Sequence, residues 1–261
     1  MGNLNQRTED RSVKMLLIGD SGSGKTGACF ALAKYFELVY MDFDSGGDVV
    51  YELAKREPEL GANINFVSFT DKFRMVGGMT IPEATAYTRA MNFLDTGKAQ
   101  GVELGPLHTW TKKRILILDS FTHMGNAAMR RVLALNGRLG KNPQIQDWGQ
   151  GMGDCENLLA TLYSDEVKCH VIVIAHFTYD KNETTGEIKG LPTAPGQKLS
   201  PKVPSYFNTM VQTKTIGKSR RLLTQPQGIV DLKVPVLSGL ASDYPAETGL
   251  VDLFKALGEI K

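Results

Sequence analysis

The chain has 261 residues, 42% of them hydrophobic and 22% charged, with a formal net charge of +2. That suits one large α/β domain with at most a small appendage, and it excludes a disordered or fibrous chain. No run of about 18 apolar residues is present and the first dozen residues lack a signal-peptide core. Cys29, Cys155 and Cys169 are an odd set without metal-ligand spacing, so a cytoplasmic protein with free thiols and no membrane contact is expected.

In chain order, residues 1–12 read as a flexible tail. Val13–Ile18 is an apolar run short enough for a buried strand, and Lys25–Tyr35 carries helical spacing. Leu38–Phe43 is a second strand and ends in Asp44-Ser-Gly-Gly. A helix over Asp48–Arg56 stops near Pro58, and Ile64–Phe69 alternates like a strand. Pro82 opens a helix over residues 84–94, and residues 97–107 read as loop. "RILILD", ending in Asp119, is a buried strand, followed by a helix over Thr122–Leu135. Gly137–Gly153, containing "IQDWGQGMG", reads as a glycine-rich loop before a helix over Asp154–Ser164. "HVIVIA" is a further strand, ending at His176. Beyond it come a hairpin or loop turning near Thr185-Gly186, a proline-rich irregular stretch, a hairpin of Met210–Ile216 with Arg220–Gln225, and a short helix over Ala246–Leu257. Apolar strands alternating with helices predict a mostly parallel sheet covered on both faces. The expected division is a tail (1–12), a core (13–235) and a short C-terminal extension (236–261).

Gly19-Asp20-Ser21-Gly22-Ser23-Gly24-Lys25-Thr26, followed by Gly27, fits the phosphate-cradling pattern G-x-x-x-x-G-K-[ST] between a strand and a helix. Its glycines let successive N–H groups turn toward phosphate oxygens, and the following helix adds the positive end of its dipole. Lys25 is expected to reach the β- and γ-phosphates and Thr26 to ligate Mg²⁺. Asp119, at the tip of a neighbouring strand, is the expected second Mg²⁺ ligand. Hydrolysis needs a group that orients water, and Asp44 is nearer the strand tip than Asp42. His176, ending a buried strand, is a candidate contact to the γ-phosphate.

Together these pieces resemble the RecA-like branch of P-loop ATPases. The resemblance rests on "MDFD", "LILDS" and "VIVIAH", and puts that family's catalytic carboxylate on Asp44, its Mg²⁺-binding aspartate on Asp119 and its sensor on His176. More narrowly, "QDWG", "VIVIAH" and "GQKLSPKVPSYFNTMVQT" resemble bacteriophage P-loop proteins of the Sak-type single-strand annealing group. The resemblance covers roughly residues 13 to 225. It implies a RecA-like core with a C-terminal β-hairpin extension, ATP and Mg²⁺, single-stranded DNA as partner, a homo-oligomeric ring or filament, and a single-strand-binding protein as a further partner. The family carboxylate is usually Glu, and Asp44 is one methylene shorter.

Between Ile188 and Val230 there is no Asp or Glu, while Lys189, Lys198, Lys202, Lys214, Lys218, Arg220 and Arg221 lie there with Tyr206 and Phe207. Such a strip follows the sensor strand, where RecA-like proteins place a DNA-contacting loop. Phosphate contacts and base stacking would supply binding. Lys214, Lys218 and Arg220 are equally candidates to reach a neighbouring subunit's γ-phosphate. The leading reading is an ATP-hydrolysing recombination protein that binds single-stranded DNA and promotes annealing or strand pairing. The alternatives are a helicase or packaging motor of the same branch, a P-loop kinase, and a nucleotide-dependent interaction module.

Overall fold

Strands with no polar face can be buried only if both faces of their sheet are covered. The computed structural model, which describes residues 11–181, 183, 185–235 and 240–261, solves this with one eight-stranded sheet between two helical layers. The strands are β1 (Lys14–Gly19), β2 (Glu37–Asp42), β3 (Ile64–Ser68), β4 (Arg114–Asp119), β5 (His170–Ala175), β6 (Thr209–Ile216), β7 (Ser219–Leu223) and β8 (Asp243–Pro245). Their spatial order is β8-β7-β6-β1-β5-β4-β2-β3. All contacts from β6 across to β3 are parallel, and β7 runs antiparallel to β6 and β8. The C-terminal hairpin expected from the sequence is therefore β6–β7, and it continues the main sheet.

Because successive side chains point to opposite faces, each central strand feeds two cores. Leu16, Ile18, Val39, Met41, Leu116, Leu118, Val171 and Val173 face one layer. That layer contains α3 (Ala86–Thr96), α4 (Phe121–Leu135) and α5 (Ile145–Tyr163), named after α1 (Lys25–Ala28) and α2 (Gly47–Arg56). Met15, Leu17, Leu38, Tyr40, Ile115, Ile117, Ile172 and Ile174 face the other, closed by Val50 of α2 and by Leu250, Leu253 and Phe254 of α6 (Gly249–Ala256). The C-terminal helix thus supplies core to the same sheet that carries the glycine-rich motif.

Three local readings differ from the sequence expectation. The helix expected over Lys25–Tyr35 is α-helical only to Ala28 and continues as a 3₁₀ segment, Phe30–Lys34. There i→i+3 bonds such as Tyr35 N–H to the Leu32 carbonyl (2.9 Å) tighten the chain while Phe30, Leu32 and Ala33 are buried. The glycine-rich stretch is not wholly loop, since α5 begins at Ile145. Its N-terminus is closed by Asp147, whose carboxylate accepts the Gln144 N–H (2.8 Å) and pairs with Arg138. A Cβ on Gly151 would lie 2.1 Å from the Met129 Sδ, so that glycine lets α5 and α4 approach closely. Finally, residues 97–107, expected as loop, contain a short hairpin of Lys98–Ala99 with Val102–Glu103, and another, Phe73–Val76 with Met79–Pro82, precedes α3 in a stretch with no sequence expectation.

The register aligns the strand tips. Gly19 lies opposite Thr213, Ile18 opposite Ala175, and Asp42 opposite Asp119. The chain therefore leaves β1, β2, β4 and β5 at one sheet edge, the C-terminal edge where open α/β sheets bind ligands. Residues 1–10 of the expected tail, residues 182 and 184 of the hairpin after His176, and residues 236–239 lie outside the described residues.

Candidate nucleotide site

The loop after β1 is closed by its own backbone. Ser23 donates its N–H (3.2 Å) and its hydroxyl (2.7 Å) to the Asp20 carbonyl, and its Oγ lies 2.8 Å from Thr213 Oγ1 on β6. A Cβ on Gly19 would meet Ser23 Oγ and Thr213 at 2.5 Å, and Gly24 has a φ of 93°. Both positions require glycine. Because α1 is a single turn, the loop's own N–H groups carry most of what an anion would meet.

Lys25 is buried, and its Nζ donates to the Gly19 (2.9 Å) and Asp20 (2.7 Å) carbonyls. Burial lowers its pKa, and the nearby Asp119, Asp44 and Asp20 charges oppose that shift. Thr26 Oγ1 donates to Asp119 Oδ2 at 2.6 Å, joining the loop to the tip of β4. Burial pushes the Asp119 carboxyl up to about 7; the neighbouring Asp44 charge adds to this and the Thr26 hydrogen bond resists it. Asp42, also buried, is raised to about 6, chiefly by burial.

Asp44 sits in the turn after β2. Ser45, at a φ of 63°, bends the chain so that the Gly46 N–H faces both Asp42 Oδ1 (3.1 Å) and Asp44 Oδ1 (3.0 Å). His176 leaves the end of β5, where its backbone N–H donates to Thr122 Oγ1 at 3.1 Å. Its pKa is lowered, first by burial and then by Lys25 and His123. His123, which the sequence reading did not single out, stands in the first turn of α4, three residues after the Ser120 N-cap. Its ring is 5.8 Å from that of His176. Its signal was the spacing from Asp119: a helix starting at a strand tip returns its third residue toward that tip.

A cavity of about 920 Å³ runs from this edge between α2 and the C-terminal helix. Lys25, Thr26, Asp44, Asp119 and His176 line one end, and Tyr35, Leu53, Val251 and Asp252 line the other. Sequence reasoning placed no part of residues 236–261 here, because α6 reaches the cavity through its packing on β7, β8 and the 3₁₀ segment.

The seven basic candidates do not form one strip. Lys202 pairs with Glu156 (2.7 Å), Arg221 with Asp243 (2.7 Å) and Lys189 with Glu187 (3.6 Å). All three acids lie outside the acid-free window. Arg220 lies over its own loop, its Cδ 2.8 Å from where a Gly24 Cβ would stand. Lys198, Lys214 and Lys218 are exposed. Phe207 is in the core and Tyr206 packs against it, so neither is a free stacking platform. Trp148 is 39% exposed, on α5.

The sequence matches the family AAA_24, described as an AAA domain, over residues 11–233. The chain belongs to this family. No curated protein matches it. Among solved structures it is similar to an ATPase from the type III secretion system of pathogenic bacteria, with 17% identity and a TM-score of 0.43 over 78% of this chain and 52% of that one. The chain spans about half the length of that structure. As an AAA_24 member with this phosphate loop it is a P-loop nucleotide-binding domain. The Thr26 hydroxyl and Asp119 carboxylate are an oxygen-only pair beside further carboxylates, a donor chemistry that fits a hard cation such as Mg²⁺. No helix among the described residues is long and apolar enough to cross a membrane.

Proposed function

We propose that this AAA_24 chain hydrolyses ATP and couples the nucleotide state to binding single-stranded DNA, as a RecA-like recombination protein that promotes annealing or strand pairing. The observation that carries the hydrolysis reading is the Thr26–Asp119 hydrogen bond with Asp44 lining the same end of the cavity. Lys25 would exchange the Gly19 and Asp20 carbonyls for β- and γ-phosphate oxygens, an exchange of acceptors at an already buried ammonium. Thr26 and Asp119 would hold Mg²⁺, which when bound neutralises charge on the phosphates. Asp44, with one oxygen fixed by the Gly46 N–H, keeps the other to accept a hydrogen bond from the attacking water. His176 would meet the γ-phosphate and pass its loss to the hairpin that follows, Phe177–Lys181 with Ile188–Pro192.

The DNA part of the reading is supported by the β6–β7 hairpin. β6 pairs in parallel with β1, so past Thr213 the hairpin runs on beyond the phosphate loop, with Lys214 on β6 and Lys218 in its turn, both exposed. A polyanion held there, or a neighbouring protomer in a ring or filament, would sense the nucleotide directly. The resemblance to Sak-type phage annealing proteins supports the first. Fluorescence anisotropy of a labelled single-stranded oligonucleotide tests it. Binding should require a non-hydrolysable ATP analogue and weaken with a log–log salt slope of about −0.7 per phosphate contact. No binding at low salt with the analogue present would overturn the reading.

A further inference from the structure

Beside the phosphate-facing residues, three side chains from three separate elements converge. Asp44 comes from the turn after β2, His123 from the first turn of α4 and His176 from the end of β5. One donor atom from each lies within 4.8 Å of the other two, and His123 Nδ1 is 4.0 Å from Asp44 Oδ2. The supporting contacts hold this arrangement. Gly46 N–H occupies Asp44 Oδ1, which leaves Oδ2 toward the histidines. Thr122, next to His123, accepts the His176 N–H (3.1 Å) and donates to the Thr193 carbonyl (3.2 Å), tying the end of β5 to the start of α4. Ser120 Oγ lies 3.0 Å from that same His123 Nδ1, a contact that an ion bound at Nδ1 would replace. The backbone contacts at Gly46 and Thr122 fix the carriers of the other two ligands.

Two imidazoles and one carboxylate suit Zn²⁺, Co²⁺ or Ni²⁺ and are a poor set for Mg²⁺, which prefers oxygen donors. Bonds of about 2.0–2.1 Å around a tetrahedral ion put ligands roughly 3.4 Å apart, so closure asks for about an ångström of movement. His123, with 43% of its side chain exposed, can make it by giving up its contact with Ser120. Asp44 and His176 also line the nucleotide cavity, so a remaining coordination position would face it.

We infer that Asp44, His123 and His176 form a binding site for a divalent first-row transition-metal ion, distinct from the Thr26–Asp119 pair. Its occupation regulates the ATPase: a bound ion takes the Asp44 oxygen that water needs and arrests hydrolysis with nucleotide still held. The regulatory consequence rests on the proposed role of Asp44; metal binding itself does not.

The experiment uses the full chain, stripped with chelator and free of nucleotide, and Co²⁺ as the probe. Saturable binding of one ion with visible d–d absorption is expected. It should persist in excess Mg²⁺ and in Thr26→Ala, and affinity should fall roughly 100-fold in His123→Ala and in His176→Ala. Equal Co²⁺ affinity in wild type and both histidine variants, or displacement by Mg²⁺, overturns the site. ATP hydrolysis is then measured with and without Zn²⁺. Zn²⁺ should suppress the wild-type rate, and His123→Ala should lose that sensitivity whatever its own basal rate. Co²⁺ binding through the histidines without Zn²⁺ suppression overturns the regulation. Co²⁺ binding in a chain that hydrolyses no ATP leaves the site standing and overturns the hydrolysis reading.

Discussion

The nucleotide edge and the basic segment of residues 188–230 were both marked in the sequence, one by spacing and the other by a count of charges, and they fold very differently. At the nucleotide edge, residues distant in sequence are brought into contact: Thr26 and Asp119 lie 2.6 Å apart. Each belongs to a short element whose direction the sheet dictates, so motif spacing carries over into geometry. Charge count does not carry over in that way. Lys202 and Arg221 find Glu156 and Asp243 on other elements, Lys189 pairs with Glu187, and the rest are spread over a loop, a turn and two strands. A window without acids in sequence is not a surface without acids in space.

The sharpest break to that contrast is at Asp44. Asp44→Asn should lower kcat for ATP by about 10²–10⁴-fold with nucleotide affinity held, the range for losing a water-orienting base. Steady-state turnover beside equilibrium binding checks it, and a rate equal to wild type would move the water-orienting role elsewhere. Lys25→Ala is next. Losing two charge-assisted contacts to phosphate should weaken ATP binding by roughly 100-fold while circular dichroism stays native, since its present partners are two loop carbonyls.

The opposite edge of the same sheet provides a control independent of ATP. His170 is fully buried, its Nδ1 accepts the Val13 N–H at 3.0 Å, and its pKa is lowered to about 3, mainly by burial. A histidine with a depressed folded pKa contributes no penalty above its unfolded value near 6.5. As pH falls from there toward 3 the unfolded chain takes up the proton first, and stability is lost at up to about 1.4 kcal/mol per unit. Between pH 7 and 5 that is roughly 2 kcal/mol, read from denaturant midpoints, with His170→Phe flattening the profile.

The smallest expected effect separates free from paired cations. The double variant Lys214→Ala/Lys218→Ala should flatten the salt slope of single-stranded DNA binding by about 1.4, two contacts' worth. Lys202→Ala and Arg221→Ala should leave it unchanged, because each already has a carboxylate partner. Equal slopes in all three variants would mean that the hairpin tip is not the DNA-contacting surface.

The parallel sheet was legible because "KMLLIG", "RILILD" and "HVIVIA" have no polar face to expose. The β6–β7 hairpin was legible from its two β-rich runs and intervening glycine. The small hairpin before α3 was not, as its strands are exposed and follow no burial pattern. The start of α5 was hidden by its glycines, of which Gly151 serves close helix packing. At the site, a local motif marked the phosphate loop, and strand-end position marked Asp119, Asp44 and His176. His123 was marked only by its spacing from Asp119, and the cavity wall from α6 depends on contacts between distant elements, which no local pattern records.

Coupling between the site and the polymer is tested most directly by ATP hydrolysis at saturating ATP and Mg²⁺, with and without single-stranded DNA at low salt. The expected result is a rate that rises with DNA and a half-saturating DNA concentration that climbs steeply as salt is added. A rate indifferent to single-stranded DNA at every salt concentration would contradict it.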